Sequence, residues 1–219
     1  MAGQRALPRD FLNELEELEA SYLAQDDPIR QSGFAGGAER WRAEREPILD
    51  AVESDGDFLD VGCANGHLLE CLVGWGRKRG LNLVPYGLDQ GARLIELARR
   101  RLLQYASHFF VANAWDWAPP RRFDYVYSLY DCVPQDYLAE YVRRLLDRMV
   151  APAGRLILGA YGSRSRGDEP FDLEGFLTGQ NFVVAGTTTG GDPPIAAFAW
   201  IDALPDPPGS HLPAGTSST

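Results

Sequence analysis

The chain has 219 residues, of which 45% are hydrophobic and 24% charged, and these values suit one soluble domain with a sizeable core. Its formal net charge of −10 disfavours nucleic acid as a partner, since phosphate contacts need clustered lysine and arginine. The cysteines Cys63, Cys71 and Cys132 have no metal-ligand spacing, and their odd number fits a reducing compartment. Without a signal-peptide profile or an apolar run near the roughly 18 residues of a membrane span, we expect a cytoplasmic protein with no metal site and no membrane partner.

Apolar residues at helical spacing predict two helices before the first strand. The first covers residues 10–25 and ends at Asp26-Asp27-Pro28, and the second covers residues 38–52. Pro47 lies inside the second helix. We expect it to kink or restart that helix, because proline cannot donate a hydrogen bond to the preceding turn.

Strands and helices then alternate along the chain. Strands are expected at residues 58–61, 83–88, 108–111, 123–129 and 155–160, with helices at 68–79, 92–105 and 137–150. This alternation is typical of a parallel sheet that is covered by helices on both faces.

The pattern changes near the C-terminus. A short helix near residues 171–178 precedes two strands, 182–189 and 195–203, which we expect to form an antiparallel hairpin at one edge of the sheet. The predicted fold class is therefore α/β, a Rossmann-like sheet of seven mostly parallel strands with this hairpin at its edge. Residues 204–219, rich in proline, glycine, serine and threonine, are expected to be a disordered tail.

The segment that begins Phe58-Leu-Asp-Val-Gly-Cys-Ala-Asn-Gly66 carries the most information. A short apolar run ends in Asp60, and small residues follow before the next helix. Glycines allow a sharp turn and a close approach of a ligand to the backbone, and a helix N-terminus favours a polar ligand. The dinucleotide-binding fingerprint has a third glycine near this position, whereas this chain has His67. The loop is thus typical of a nucleoside site rather than a pyrophosphate site.

Three later strand ends carry further candidates, because ligands of open α/β sheets bind at the carboxyl ends of the strands. Asp89 ends the second strand and is well placed to accept hydrogen bonds from two ribose hydroxyls. Asn113 follows the third strand, where it would either read a base edge or serve a local turn, and Trp115 would cover the face of the base. Tyr130 and Asp131 follow the fourth strand.

In their order and spacing, these segments resemble the class I S-adenosylmethionine-dependent methyltransferases. Asp60-Val-Gly-Cys-Ala-Asn-Gly66 resembles the first motif of that family, with Ala64 where glycine is usual. Tyr86-Gly-Leu-Asp89 resembles its ribose-binding motif, and Asn113-Ala114 is a looser form of its adenine position. Residues 123–128 and 145–161 resemble the later strand motifs, so that the resemblance covers about residues 40–203.

The resemblance implies S-adenosyl-L-methionine as the cofactor. Asp60 and the loop backbone would hold its methionine part, Asp89 the ribose, and Asn113 with Ala114 the adenine. The full set of cofactor-binding residues that we expect is Asp60, Gly62, Cys63, Ala64, Asn65, Gly66, Asp89, Gln90, Asn113, Ala114 and Trp115. The family also implies that residues 1–54 form a lid and substrate region in front of a cofactor domain at residues 55–203.

The sulfonium is already an activated methyl donor, so catalysis mainly requires alignment of the acceptor and exclusion of water. A general base helps only a poorly acidic hydroxyl or a protonated amine. Tyr130, Asp131 and His67 are the candidates, although a first-turn histidine such as His67 also serves as a solvated or capping residue. Cys132 precedes Pro134, whereas cytosine C5-methyltransferases place proline before their nucleophilic cysteine. A packed structural cysteine is the better interpretation.

Three hypotheses for function follow. The leading one is a methyltransferase that moves a methyl group to an O or N acceptor on a small molecule. A second is a methyltransferase for a protein or RNA acceptor. A third is a non-catalytic partner subunit that keeps the cofactor site.

Overall fold

A computed structural model describes residues 5–205, which form a seven-stranded sheet and six α-helices. The strands are β1 (Gly56–Val61), β2 (Leu83–Asp89), β3 (Phe109–Val111), β4 (Phe123–Leu129), β5 (Val150–Tyr161), β6 (Gly186–Gly190) and β7 (Ala196–Asp202). The helices are α1 (Arg9–Leu23), α2 (Ala38–Arg45), α3 (His67–Lys78), α4 (Ala92–Arg101), α5 (Leu138–Arg148) and α6 (Leu173–Gly179).

The strand order across the sheet is β3-β2-β1-β4-β5-β7-β6. The first five strands run parallel, whereas β7 is antiparallel to both β5 and β6. The expectation of a mostly parallel seven-stranded α/β sheet with an antiparallel hairpin at its edge is confirmed. The strand order reverses between β1 and β4, and in open α/β sheets this point opens a crevice at the carboxyl ends of the strands.

The central strand β1 is buried on both faces of the sheet. Phe58 belongs to an apolar cluster with Leu69 of α3, and Leu59 belongs to the opposite cluster with Tyr141 and Leu145 of α5. Successive residues of a strand point to opposite faces, so helices must cover both sides of such a sheet. Full burial of each leucine contributes about 1.5–3 kcal/mol to stability. The loop that follows Val61 therefore starts from a well-packed strand.

The second predicted helix is interrupted at Pro47. Helix α2 ends at Arg45, and a 3₁₀ turn, Glu46–Ala51, follows it. Pro47 lies in the first turn of the 3₁₀ helix, where its missing N–H group is not needed. The expected restart is thus confirmed.

Strand β5 begins earlier than the predicted start at residue 155. Phe123 of β4 pairs with Val150, and the register then shifts so that Tyr125 pairs with Arg155. Ala153 lies in the intervening segment with a φ of 58°. The local sequence of proline, alanine and glycine disfavours a strand, but pairing with β4 on both sides of the irregularity overrides that preference.

Other strand and helix bounds also differ from the predicted ones by a few residues. Residue 108 closes a 3₁₀ turn, Leu103–His108, which replaces the end of the predicted helix 92–105. Strand β6 begins at Gly186 rather than at residue 182, although the N–H of Ala185 already donates to the Trp200 carbonyl at 2.8 Å. These differences leave the topology of the sheet unchanged.

The described chain ends soon after β7. Residues 203–205 have no regular structure, and the rest of the predicted tail, residues 206–219, lies outside the described residues. Within residues 5–205, every helix is too short or too polar to cross a bilayer.

Candidate active site

Two adjoining cavities open at the carboxyl edge of the sheet. The first cavity has a volume of about 200 Å³ and lies over the ends of β2 and β3 beneath α1. The second has about 620 Å³ and lies over β1, β4 and β5, between α2 and residues 162–166. Five residues line both cavities: Tyr22, Gly62, Ala64, Leu129 and Asp131. The two cavities are thus compartments of one crevice that meet at these residues.

The loop after β1 has a left-handed backbone at three positions. The φ angle is +88° at Gly62, +45° at Ala64 and +73° at Gly66. The N–H groups of Gly62 and Cys63 donate to the Leu88 carbonyl at 2.8 and 3.0 Å, which ties the loop to β2. Glycine adopts a positive φ freely, whereas alanine does so at a cost of roughly 1–2 kcal/mol. Ala64 therefore preserves the turn with some backbone strain.

Asp89, at the end of β2, is held by two backbone donors. Its Oδ2 accepts a hydrogen bond from the Ala64 N–H and its Oδ1 from the Gly91 N–H, each at 2.8 Å. Burial raises the pKa of Asp89, and these two hydrogen bonds oppose that rise. The side chain lines the first cavity, and each carboxylate oxygen accepts more than one hydrogen bond. Asp89 therefore presents a fixed pair of acceptors to two hydroxyl groups.

Gln90, Asn113 and Ala114 also line the first cavity. The Asn113 side chain donates from Nδ2 to Gln90 Oε1 at 3.0 Å and accepts at Oδ1 from the Trp115 N–H at 2.9 Å. The second of these bonds is a local turn contact. Asn113 thus serves the turn that the sequence suggested and at the same time faces the cavity.

Asp60 is a buried acid at the floor of the second cavity. Its residue is only 2% exposed, and none of the residues 5–205 donates a hydrogen bond to its carboxyl group. Burial, with a smaller contribution from the charge of Asp89, raises the pKa of Asp60 to about 8. A buried carboxyl group without a partner is costly when it is ionised. Asp60 is therefore prepared for a cationic or hydrogen-bond-donating ligand group.

No family model and no curated protein matches the chain, but solved structures do. One is the N-methyltransferase NodS from Bradyrhizobium japonicum WM9 with S-adenosyl-L-homocysteine: the TM-score is 0.64 at 19% identity, over 87% of this chain and 98% of that one. Another is 1,6-didemethyltoxoflavin-N1-methyltransferase from Burkholderia thailandensis, with a TM-score of 0.64 at 14% identity over 93% of both chains. Magnesium protoporphyrin IX methyltransferase from Synechocystis PCC 6803 gives 0.60 at 14% identity, over 91% and 99%.

The chain has the fold of the class I S-adenosylmethionine-dependent methyltransferases. At these identities the likeness concerns the fold. The positions of the candidate residues come from this chain's own strand order and from the crevice where that order reverses.

In this methyltransferase fold, Asp131 lies at the junction of the two cavities and lines both. Burial raises the pKa of its carboxyl group. The neighbouring Cys132 also lines the first cavity, and burial together with Asp131 raises the pKa of its thiol to about 12. A thiol with such a pKa is a poor nucleophile at neutral pH. Of the residues after β4, Asp131 is therefore the carboxyl group that lies where the two cavities meet.

Tyr130 is the first of two catalytic candidates that the methyltransferase fold places elsewhere. Its ring stacks on Phe171, with centroids 4.7 Å apart and an interplanar angle of 4°. It lies outside both cavities as residues 5–205 form them. The assignment of Tyr130 as a base stays a prediction, and its ring packs on Phe171 rather than lining either cavity.

His67 is the second such candidate. Its ring lies 5.2 Å from that of Trp41, and its Nε2 is 3.7 Å from Cys71 Sγ. It lines a separate groove on the outer side of α3, and burial lowers the pKa of its imidazole. The structure places this side chain in a groove apart from the two cavities, and the role of His67 as a base stays a prediction.

Asn65 and Gly66 support the loop from behind rather than line a cavity. Asn65 donates to the Pro28 carbonyl and to Gln31 Oε1, and its own Oδ1 accepts from Ser32 Oγ. Asn65 therefore fastens the segment after α1 to the loop. A Cβ atom at Gly66 would lie 2.9 Å from Ala98 Cβ, so this glycine allows α4 to approach.

Trp115 lies in the core rather than at the first cavity. It is 1% exposed and lies among apolar residues of the sheet's other face, with its Nε1 donating to the Arg5 carbonyl at 2.7 Å. The Arg144 guanidinium covers the indole at 4.0 Å. The indole is buried in the core and capped by an arginine, and it does not face the first cavity as the described residues form it.

The sequence assigned residues 1–54 to a lid and substrate region, but it did not single out which of them line the crevice. Four residues of α1 line the first cavity: Leu15, Leu18, Glu19 and Tyr22. Arg45 of α2 and Tyr161 at the end of β5 line the second. Helical spacing in α1 indicated an apolar face but not what that face covers, and nothing in the sequence distinguishes Arg45 from its neighbours Arg40 and Arg42.

Proposed function

We propose that the protein is an S-adenosylmethionine-dependent methyltransferase that acts on an O or N acceptor of a small molecule. The observation that carries this proposal is the meeting of the two cavities at Asp131 and the loop after β1. One compartment has the groups for a nucleoside, and the other leaves room for a second reactant beside it. Methyl transfer requires the donor and the acceptor to meet in line, and two adjoining compartments suit this requirement.

The residues present fit this cofactor. Asp89 supplies two fixed acceptors for the ribose hydroxyls, and Gln90, Asn113 and Ala114 surround the position of the adenine. Asp60 and the loop residues Gly62, Cys63 and Ala64 line the second cavity, where the methionine part would be held. When bound, S-adenosyl-L-methionine supplies an activated methyl group on its sulfonium.

The protein's own residues would then align the acceptor and exclude water. Tyr22 lines both cavities, and helix α1 covers the first, which supports the assignment of residues 1–54 as a lid and substrate region. Asp131 is placed to accept a proton from an acceptor hydroxyl or ammonium group. Its raised pKa brings the carboxylate closer to neutral pH, where a general base is more effective.

A small-molecule acceptor is favoured over a macromolecule by the second cavity, which is enclosed between α2 and residues 162–166. The net charge of −10 also disfavours RNA. Among the structures that share the fold, the Burkholderia enzyme was solved with 1,6-didemethyltoxoflavin, a small molecule.

A calorimetric titration with S-adenosyl-L-homocysteine tests the proposal, with NAD as a dinucleotide control. We expect binding of S-adenosyl-L-homocysteine in the micromolar range and no comparable binding of NAD. If S-adenosyl-L-homocysteine does not bind in that range, the methyltransferase function is refuted.

A further inference from the structure

Arg45 is a buried cation at the wall of the second cavity. Its side chain is 8% exposed. Its guanidinium carbon lies 4.3 Å from the centroid of the Phe34 ring, 4.0 Å from Trp41 and 4.4 Å from Tyr161. Three aromatic rings therefore surround one guanidinium and hold it in a fixed position.

This guanidinium has no hydrogen-bond acceptor among residues 5–205, and its Nη1 is fully enclosed. The nearest carboxylate oxygen is Glu44 Oε2 at 3.7 Å from Nη1, which is too long for a hydrogen bond. A buried arginine is normally paired and hydrogen-bonded, since removal of its charge from water is costly. Arg45 thus has a long ion pair with Glu44 but no hydrogen-bond acceptor for its buried donors.

Glu44 does not supply that acceptor, because its Oε2 stays beyond hydrogen-bond distance of Arg45 and its Oε1 faces two other arginines. Arg40 donates to Glu44 Oε1 at 3.1 and 3.3 Å, and Arg164 lies 3.8 Å from the same oxygen. One carboxylate is therefore shared among three guanidinium groups at the second cavity. This local excess of positive charge stands out in a chain whose net charge is −10.

The other residues of the second cavity do not neutralise this excess of positive charge. Asp60 and Asp131 line it as well, but burial raises the pKa of Asp60 to about 8, so that this carboxyl group is mostly protonated at neutral pH. Arg166 adds a further cation and is paired with Asp168. The walls also include the rings of Tyr22 and Tyr127, which suit a flat apolar body.

We propose that the second cavity binds an acceptor that carries a carboxylate on an aromatic body, and that Arg45 holds this carboxylate. The proposal rests on the proposed methyltransferase function and names its substrate class: hydroxy- or amino-substituted aromatic acids. A planar carboxylate matches the guanidinium fork and satisfies its free donors. The hydroxyl or amino group of the same molecule would extend toward Asp131 and receive the methyl group.

The test compares acids with their neutral amides. Hydroxybenzoates and aminobenzoates, each beside the corresponding benzamide, are titrated into the wild-type protein with and without S-adenosyl-L-homocysteine. We expect at least one acid to bind about 10- to 100-fold more tightly than its amide, the range expected for a hydrogen bond to a charged group. Equal binding of acid and amide, or no binding of any acid up to millimolar concentration, would overturn the proposal.

Arg45→Met keeps the length of the side chain and removes the charge, so the preference for the acid should fall to within about twofold. Arg42→Met is the matched control. It lies on the same helix, pairs with Glu46 and lines the outer groove instead of the second cavity, so this variant should keep the full preference. If Arg45→Met does not fold, Arg45→Lys replaces it, with an expected partial loss because ammonium lacks the planar fork.

The carboxylate of the cofactor's methionine part is the alternative anion for Arg45. S-adenosyl-L-homocysteine and 5′-methylthioadenosine, which lacks the amino-acid group, are titrated into the wild type and Arg45→Met. We expect both affinities to change by less than about threefold. A loss of tenfold or more for S-adenosyl-L-homocysteine alone would assign Arg45 to the cofactor and overturn the proposal. If neither nucleoside binds the wild type, the proposed function fails, whereas the comparison of acids and amides still decides the anion site.

Discussion

Asp60 and Asp89 end neighbouring strands, yet their surroundings differ. Asp89 accepts hydrogen bonds from two backbone N–H groups, whereas Asp60 receives none from the described residues. Burial raises the pKa of both carboxyl groups, and for Asp60 the value reaches about 8. Of the two acids, Asp89 is thus fixed as a hydrogen-bond acceptor, and Asp60 is the one whose charge responds to what enters the crevice.

We predict that Asp89→Ala weakens binding of S-adenosyl-L-homocysteine by roughly 1–3 kcal/mol. The substitution leaves the ribose hydroxyls and the Ala64 and Gly91 N–H groups without their acceptor. Calorimetric titration measures the change. Asp147→Ala, at an exposed position of α5, is the control and should bind as the wild type does. Unchanged affinity in Asp89→Ala would contradict the ribose assignment.

We also predict that Asp60 makes the ligand-free protein less stable as the pH rises. The folded-state pKa of about 8 lies above the unfolded value of about 3.9, so the folded state binds more protons between these values. The free energy of unfolding should therefore fall across this window, by up to about 1.4 kcal/mol per pH unit from this group.

Urea unfolding at several pH values between 5 and 8 measures this dependence. Asp60→Asn keeps the shape of the side chain and cannot ionise, so its stability should fall less steeply than that of the wild type. Asp89 and Asp131 also have raised pKa values and remain in both proteins. Parallel curves for the two proteins would rule out a strongly raised pKa at Asp60.

At the scale of elements, α1 lines the crevice without being part of the core. None of its residues, Arg9–Leu23, is fully buried, yet four of them line the first cavity. Its C-terminal end is held through Tyr22, whose hydroxyl would overlap a Cβ atom placed at Gly33. Gly33 has a φ of +76°. The seating of Tyr22 at the junction of the cavities therefore depends on this glycine.

We predict that Gly33→Ala displaces Tyr22 and weakens S-adenosyl-L-homocysteine binding several-fold, at a stability cost of about 1 kcal/mol from the positive φ. Gly74→Ala is the matched control, since Gly74 is an exposed helical residue with open space around its Cβ position. That change should stabilise the protein by about 0.5–1 kcal/mol and leave binding unchanged. Thermal unfolding and titration of both variants would check this. Wild-type affinity in Gly33→Ala would show that the position of Tyr22 does not affect binding of S-adenosyl-L-homocysteine.

The elements also explain which features the sequence could predict. Alternation of apolar segments predicted the parallel sheet, because β1 and its neighbours are buried on both faces. The early start of β5 could not be predicted, since it depends on pairing with Phe123 across the register shift. Arg45 could not be selected either: the rings that enclose it include Tyr161, which only the tertiary fold brings close. The burial of Trp115 beside Arg144 of α5 could not be predicted from its proximity in sequence to Asn113.

At the scale of the whole molecule, the crevice joins parts of the chain that are distant in sequence. Helices α1 and α2 close it from one side, and the ends of β1, β2 and β4 form its floor. Asn65 ties residues 28–32 to the loop after β1 through its hydrogen bonds. A ligand in the crevice therefore contacts the N-terminal region and the sheet at once, and it should stabilise both.

We predict that S-adenosyl-L-homocysteine at about 100 times its Kd raises the free energy of unfolding by about 2.7 kcal/mol, and Tm by about 5–10 °C for a chain of this size. Thermal unfolding followed by circular dichroism should show one transition that moves as a whole. The segment 24–37, which connects α1 to α2, should be cut more slowly by protease in the presence of the ligand, because cleavage follows local opening. Asp89→Ala provides the control at the same ligand concentration, with a smaller shift. A second transition that stays in place on ligand addition would mean that the N-terminal helices and the sheet do not share one binding site.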